Sequence, residues 1–202
     1  MYTVEWAKNF DGFKPKEELD IHKFTQFYDK HIANRFFTYE TTSSKLPYFV
    51  VRMEKNQLPH LFGLQHWNNI EVKQPKKQYE KILSGEWSLE YLKKADPGSY
   101  KEFKLRIAAV PYLYNMLYYH KCQIKLLNKN IPSPFQKRRV DMLFQKEKDK
   151  YVYLLELREI QESNNLFVPI SLTVHRKNSN NLRVKSEPII INNVLVEKQT
   201  ID

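Results

Sequence analysis

The sequence predicts an α+β fold, in which N-terminal helices pack on one face of a C-terminal antiparallel β-sheet. Up to about residue 122, apolar residues recur at three- and four-residue steps, which is the period of an amphipathic helix. After residue 122 they recur at every second position, as in a strand with one buried face. The connections between the later segments are short, which favours neighbouring antiparallel strands.

The first third of the chain is predicted to contain a helix, a strand and a corner. Residues 1–20 mix polar and aromatic residues without a period, so we expect a lead-in segment there and one domain over residues 21–202. Apolar residues at helical spacing predict a helix over residues 21–42. The run YFVVRM after Pro47 is typical of a strand, and QLPHLFGLQHW then closes it, with Gly63 as the expected backbone pivot.

Three further helical segments complete the first half. Residues 75–84 begin with proline and end before a glycine, which is the usual order in a short helix. Ser88 is expected to cap a second short helix, followed by a turn over residues 96–98. The longest periodic segment covers residues 99–122, and Pro111 is expected to kink it or split it in two.

The second half is predicted to be a series of strands. In order, they are IKLLN, RRVDMLFQK, KYVYLLELRE, LFVPISLTVHR, EPIII and VLVEK. The connections KEKD and QESNN predict antiparallel neighbours, and Asn192 with Asn193 predicts a hairpin between the last two strands.

Strict alternation in LFVPISLTVHR assigns its residues to two faces. The core-facing set is Val168, Ile170, Leu172 and Val174. The other set is Phe167, Pro169, Ser171, Thr173 and His175. Two hydroxyls and an imidazole then recur about 7 Å apart on the second face. This face is either an ordinary solvated surface or one that carries chemistry.

Charge and composition favour an anionic partner. The chain has 33 lysine and arginine residues against 23 acidic ones, a formal charge of +10 and a pI near 9.4. Nucleic acid, and RNA in particular, is the partner we expect, although a basic surface can also serve solubility alone. No segment has the pattern of a membrane span or a signal peptide, so we expect a cytoplasmic protein without membrane contact. The single cysteine, Cys122, is expected to be a packed thiol.

Several kinds of active site are poorly supported. His60 and His66 lie six residues apart without a nearby pair of carboxylates, and no HExxH motif or Asp-rich loop occurs. The four glycines cannot supply a phosphate-binding loop, and no GxSxG elbow is present. We therefore expect no metal and no cofactor.

The remaining groups are histidine, hydroxyl and basic side chains, which suit metal-independent RNA cleavage. Histidine can transfer protons near neutral pH, and cations with hydroxyls can stabilise a developing phosphate charge. The run QKRRVDM places Lys137, Arg138 and Arg139 at the entry to a predicted strand. These residues are candidates for phosphate contacts, or they protect an edge strand from aggregation.

The order of motifs resembles a known family. The strand followed by LPHLFGL, the segment YEKILSGEWSLEYLKK, the helix FKLRIAAVPYLYNML and the strand VPISLT together span about residues 47–175. This order is similar to that in phage and prophage proteins of the fourth phage group of Barnase, EndoU, colicin and RelE-like (BECR) nucleases. The resemblance implies a BECR-like α+β fold with an RNA-cleaving site on the open sheet face. It also implies site roles for His60, Arg106 and Ser171.

Our leading hypothesis is an endoribonuclease of phage or mobile-element origin that acts as a toxin or defence-related effector. His60 would be the base or acid, His175 or His66 its partner, and Arg106 a phosphate cation. Ser171 and Thr173 would donate hydrogen bonds to the phosphate. The alternative is a non-catalytic module on the same fold that binds nucleic acid or protein, such as a phage inhibitor of a host defence factor. In that case a host factor or a protein inhibitor is the partner, Arg106 could pair with Glu102, and His60 could be a structural corner residue.

Overall fold

The structure is a computed structural model that describes residues 2–14, 17–128, 133–160, 165–182 and 184–199. The helices in these ranges are α1 (Val4–Lys8), α2 (Ile21–His31), α3 (Gln57–Phe62), α4 (Pro75–Leu83), α5 (Leu89–Ala95), α6 (Pro97–Ala109) and α7 (Tyr112–Tyr119). The strands are β1 (Arg35–Thr41), β2 (Tyr48–Met53), β3 (Gln123–Leu127), β4 (Met142–Lys148), β5 (Tyr151–Glu159), β6 (Leu166–Arg176), β7 (Ser186–Ile189) and β8 (Ile191–Lys198).

The strands form one curled sheet in the order β7-β3-β4-β5-β6-β2-β1-β8. The predicted α+β class is confirmed, and β4, β5 and β6 are antiparallel neighbours as expected. The sheet is mixed rather than wholly antiparallel, because β2 pairs in parallel with β6 through Val50 and Val51. Two strands from the first half of the chain, β1 and β2, thus complete the C-terminal sheet.

The predicted helix over residues 21–42 is wrong in its second half. The helix α2 ends at His31, Asn34 adopts a left-handed conformation with φ 54°, and β1 follows. The run RFFTYET is rich in aromatic and β-branched residues, which fit a half-buried strand. Phe37 and Tyr39 occupy alternate positions of β1, and both point into the core. Their pairing with β2 and β8 involves residues that are distant in sequence, so a local helical pattern cannot reveal it.

The predicted C-terminal hairpin is also wrong. The strand β7 pairs with β3 at one end of the sheet, and β8 pairs with β1 at the other end. Only Ile190 separates these two strands, and Asn192 and Asn193 lie inside β8. The seven-residue β1 offers β8 a longer ladder than the four-residue β7 could. The two ends of the sheet are therefore joined by one short piece of chain.

The helical segments after β2 follow the sequence closely. Pro75 begins α4, Ser88 caps α5 through a hydrogen bond from the Tyr91 amide, and Pro111 separates α6 from α7. The predicted turn over residues 96–98 is wrong, because Asp96 instead caps α6 by accepting from the Ser99 amide. Proline at the first helical position and aspartate at the cap suit a helix start as well as a turn.

Each face of the sheet has its own hydrophobic core. The larger core lies between the helices and one face, and it includes Phe144 and Leu155. The residues just before them, Leu143 and Leu154, point to the opposite face and form a second core with the segment after β3. The second core consists of Leu127, Phe135, Val140, Leu143, Val152 and Leu154. The sheet face that was expected to be open is therefore partly covered.

The N-terminal segment and the cysteine complete the fold. Within the predicted lead-in, α1 buries Ala7, and Phe10 packs in the larger core. The division of the chain near residue 20 stays a prediction. Burial raises the pKa of the Cys122 thiol to about 12, as expected for a packed thiol.

Candidate functional site

The α3 corner, which we define as residues 57–67, holds two of the predicted site residues. The helix α3 ends at Gly63, which adopts a left-handed conformation with φ 88° and donates its amide to the His60 carbonyl. A Cβ at this position would lie 2.8 Å from Cδ1 of Phe103, so a glycine is required there for both backbone and space. The predicted role of Gly63 as a pivot is confirmed.

Arg106 joins α6 to this corner. Its side chain is 7% exposed, its Nε donates to the Leu61 carbonyl at 2.9 Å, and its Nη2 donates to the His60 carbonyl. Both carbonyls belong to the last turn of α3; the His60 carbonyl also accepts from the Gly63 amide, whereas Arg106 is the donor to the Leu61 carbonyl. Arg106 forms no ion pair with Glu102 in the part of the chain that the structure describes, so the helix salt bridge considered as an alternative is not formed.

The charge of Arg106 also acts on the sheet. Burial lowers the pKa of Arg106 to about 10, the carboxylate of Glu156 acts in the opposite direction, and Arg138 lowers this pKa further. Because α3 and α6 contact each other and both contact β6, the corner lies against the sheet strand that carries the other predicted residues.

The two histidines of the corner differ in exposure. His60 is partly buried; burial lowers its pKa, Gln65 opposes this shift, and the charges of Arg106 and His66 lower the pKa further. His66 is exposed and stacks on Phe103, with 5.4 Å between ring centroids and 6° between planes. Burial is also the main cause that lowers the pKa of His66.

A β-bulge in β6 changes the predicted alternation. Leu157 pairs with Pro169 and Glu156 pairs with Ser171, so Ile170 is an extra residue. Phe167 and Pro169 are buried, with Phe167 in the larger core, whereas Ile170 packs against the second core. The predicted facing of these three residues is therefore wrong, and Val168, also expected to face the core, is only partly buried.

Beyond the bulge, the predicted alternation holds. Leu172 and Val174 pack with the larger core. Ser171, Thr173 and His175 point to the opposite face, each level with a residue of β5. For Ser171 this residue is Glu156, which the sequence analysis did not select.

Glu156 is fully buried and holds several polar groups together. Its Oε1 accepts a hydrogen bond from the Thr173 hydroxyl at 2.8 Å. Its Oε2 lies 2.8 Å from Nη1 of Arg138 as an ion pair, without the alignment of a hydrogen bond. Burial raises the pKa of Glu156, while Arg138, Thr173 and Arg106 act to lower it. Positions 152 and 154, which lie on the same face of β5 as Glu156, are aliphatic. An acidic residue at the next position of this apolar face is the feature of the sequence that could have identified Glu156 as a site residue.

His175 extends this set of contacts. Its Nε2 lies 3.1 Å from the Thr173 hydroxyl oxygen. Burial lowers the pKa of His175, and the charge of Arg138 lowers it further. We call Arg138, Glu156, Thr173 and His175 the Glu156 cluster.

The three basic residues before β4 do not lie in a strand. Gln136–Arg138 form a 3-10 turn, and Arg139 ends it in a left-handed conformation with φ 52°. Phe135 and Val140 anchor this turn in the second core, and Arg158 donates to the carbonyls of Arg138 and Arg139 at 2.8 and 3.3 Å. Lys137, Arg138 and Arg139 are all exposed, so they can share one surface. The prediction of a strand here is wrong because the flanking apolar residues anchor a turn.

The structure brings Arg138, Thr173 and His175 together around Glu156, and joins Arg106 to the His60 carbonyl at the α3 corner. The positive charges of Arg106 and Arg138 both act to lower the pKa of Glu156; Arg106 also lowers the pKa values of His60 and His66, and Arg138 that of His175. The two described clefts, of about 540 and 430 Å³, are lined by other residues. Among the described residues, no group of three or more histidine, cysteine, aspartate or glutamate side chains could hold a metal ion.

Comparison with known families identifies the domain. The family model of the phage Barnase-EndoU-ColicinE5/D-RelE-like nuclease 4 proteins matches residues 20–198. The chain belongs to this family. It therefore carries a nuclease-family domain over nearly all of its length, as the motif order in the sequence suggested. Comparisons with curated proteins and with solved structures gave no significant match.

A nuclease family has nucleic acid as its expected class of substrate. None of the helices in the described ranges is long and apolar enough to cross a membrane.

Proposed function

We propose that the protein is a metal-independent endoribonuclease whose site lies between the α3 corner and the Glu156 cluster. One observation carries this proposal. Arg106 donates to the His60 carbonyl, Arg138 forms an ion pair with the buried carboxylate of Glu156, and the Thr173 hydroxyl links that carboxylate to His175. Two histidines and two cations are the groups that cleavage through the RNA 2'-hydroxyl requires.

Each of the two proton transfers in the reaction uses a different histidine. One histidine removes the proton from the 2'-hydroxyl, and the other protonates the departing 5'-oxygen. Burial keeps the pKa of both His60 and His175 below the ordinary value, so the neutral form persists into mildly acidic solution. A bound phosphate would raise both pKa values, which favours the protonated form of the acid when substrate is present.

The two arginines take unequal parts. The Arg138 side chain is 41% exposed and can reach a phosphate, whereas Arg106 is almost fully buried and donates to two carbonyls. We therefore assign direct phosphate contact to Arg138, with Lys137 and Arg139 on the same exposed turn. Arg106 positions the His60 backbone and adds positive charge.

The hydroxyl groups also differ. The Thr173 hydroxyl donates its only proton to Glu156, so it has none left for a phosphate. Ser171 lies level with Glu156 on the same face, and its hydroxyl is the proposed donor to the phosphate. The exposed His66 ring, stacked on Phe103, offers a face on which a nucleobase could stack.

We further propose a biological role as a toxin or defence-related effector of phage or mobile-element origin. Membership in a phage-type nuclease family supports this role. A protein inhibitor or a host factor would then be a second partner, because an active ribonuclease endangers the cell that makes it.

The rival function is a binding module that has kept the fold without catalysis. One observation favours it: Arg106 is already engaged with backbone carbonyls and Arg138 with Glu156, so neither cation is unpaired. Such a module would bind RNA in a salt-dependent way without cleaving it.

The two functions can be separated with a matched pair of substrates. An RNA oligonucleotide and the same sequence with 2'-deoxyribose at every position are incubated with the full-length protein. The endoribonuclease is expected to cut only the RNA, and to leave a 2',3'-cyclic phosphate on the 5' fragment. Binding of both oligonucleotides without any cleavage would support the binding module instead.

A further inference from the structure

The Thr173 hydroxyl lies between two polar partners. Its Oγ1 is 2.8 Å from Oε1 of Glu156 and 3.1 Å from Nε2 of His175. A hydroxyl has one proton to donate and lone pairs with which to accept. The direction of one of these contacts therefore fixes the direction of the other.

The carboxylate of Glu156 determines the direction. An ionised carboxylate can only accept, so Thr173 must donate to Glu156. Burial raises the pKa of Glu156, but the ion pair with Arg138, whose Nη1 lies 2.8 Å from Oε2, and the charge of Arg106 favour the ionised form. The lone pair of Thr173 is then left for His175, whose Nε2 must carry a hydrogen. In the neutral imidazole, Nδ1 is consequently the nitrogen without a proton.

We propose that Glu156, acting through Thr173, fixes the tautomer of His175 so that Nδ1 is the atom that accepts the proton of the RNA 2'-hydroxyl. This inference rests on the proposed ribonuclease function and assigns the base within it. Glu156 and Thr173 are positioning residues, and His60 is left as the acid. Among the charged groups of the described chain, Arg138 and Glu156 are those whose charge reaches His175 directly or through Thr173.

The step needs no reactant besides the RNA and the two histidines. The 2'-hydroxyl proton moves to Nδ1, and the resulting imidazolium keeps its Nε2 hydrogen on Thr173. The 2'-oxygen forms a bond to phosphorus, and the bond from phosphorus to the 5'-oxygen breaks. The leaving oxygen takes a proton from the His60 imidazolium. The products are a cyclic phosphate and a free 5'-hydroxyl.

The tautomer can be measured without any reaction. In the full-length protein labelled with ¹⁵N-histidine, the nitrogen shifts and their couplings to ring protons report which nitrogen is protonated. At a pH where His175 is neutral, we expect hydrogen on Nε2 in the wild type and in Thr173→Ser. In Thr173→Val we expect a mixture of tautomers, because the accepting oxygen is gone. His175→Gln assigns the resonance, and thermal unfolding confirms that the variants fold.

The rate of RNA cleavage then tests the role of the tautomer. Thr173→Val is expected to lower kcat at least about 10-fold with little change in KM, since orientation of a functional histidine is lost. Thr173→Ser is expected to retain most of the activity. Hydrogen on Nδ1 in the neutral wild type, or full activity in Thr173→Val, would overturn the inference even if RNA is cleaved. A wild type with the expected tautomer that cleaves no RNA would contradict the proposed function and the catalytic role of Nδ1, while the hydrogen-bond direction would stand.

Discussion

At the scale of single residues, the contacts of Arg106 and the burial of Glu156 could not be predicted from the sequence. Arg106 was predicted to be a phosphate cation, but its hydrogen bonds go to the end of α3. Glu156 was not selected, because an acidic residue in a strand is usually assigned to a solvated face. Its burial follows from the segment that covers the sheet, and a segment of that kind leaves no periodic pattern in sequence.

Replacement of Arg106 is expected to reduce stability as well as any activity. Arg106→Ala would leave the Leu61 carbonyl without its donor, at about 1 to 3 kcal/mol for an unsatisfied buried group, while the His60 carbonyl would keep its bond from the Gly63 amide. We expect a loss of about 1 to 3 kcal/mol in the free energy of unfolding, measured with urea. Lys104→Ala, at an exposed position of the same helix, is the control and should change stability by less than about 0.5 kcal/mol. Equal effects of the two changes would contradict the anchoring role.

The buried histidines should make stability depend on pH. The folded-state pKa values of His60 and His175 are lowered, mainly by burial, so between these values and about 6.5 the unfolded chain binds more protons. Stability is therefore fully present above about pH 6.5 and falls as the pH drops through the lower folded-state values. Urea unfolding at pH 7.5 and pH 5.5 should show this loss. Replacement of both histidines by glutamine should reduce the difference between the two pH values; an unchanged difference would argue against their burial.

At the scale of elements, local sequence signals predicted most helices and strands. The features that were predicted wrongly depend on pairing and packing between segments that are distant in sequence. Prolines and caps located α4, α5 and the break between α6 and α7. The bulge at Ile170 changes the facing of half of β6, and nothing in LFVPISLTVHR marks it, because it arises from the pairing with β5. The basic run before β4 looked like a strand for the same reason: its anchors, Phe135 and Val140, find partners that are distant in sequence.

The end of α3 offers a direct test of the corner. Gly63→Ala would place a Cβ 2.8 Å from Phe103 at a positive φ, so we expect a loss of at least about 1 kcal/mol in the free energy of unfolding. Gly98→Ala is the matched control, since its Cβ would meet only Asp96 at an ordinary distance of 3.6 Å in the first turn of α6. This control should be neutral or slightly stabilising. A neutral Gly63→Ala would show that the corner has another backbone conformation.

The basic turn should contribute to RNA affinity through charge. Lys137→Glu with Arg139→Glu leaves the ion pair between Arg138 and Glu156 in place and is expected to weaken RNA binding at low salt. The slope of log K against log salt should fall by about 1 to 2 if both side chains contact phosphates. The control is Lys76→Glu with Lys77→Glu on α4, which makes the same change of net charge at another exposed surface. Equal weakening by the two pairs would mean that overall charge, rather than this turn, attracts the RNA.

At the scale of the whole molecule, the family and the α+β class could be predicted from motif order and hydrophobic period, but the closure of the sheet could not. The last strand crosses from one end of the sheet to the other, and the Asn192-Asn193 signal for a local hairpin is overridden by pairing with β1. Within this sheet, β6 contacts both α3 and α6, the helices that carry His60 and Arg106. The net charge of +10 fits a protein that attracts a polyanion to this site.

The central claim is that His60 and His175 transfer protons during RNA cleavage without a metal ion. The most direct test is incubation of the purified protein with cellular RNA in excess EDTA, alongside His60→Ala and His175→Ala. We expect the wild type to cleave RNA in EDTA, and each variant to be slower by at least about 100-fold, the usual contribution of a general acid or base. Intact RNA with the wild type, cleavage that appears only when a divalent metal is restored, or cleavage by either variant at the wild-type rate would contradict this claim.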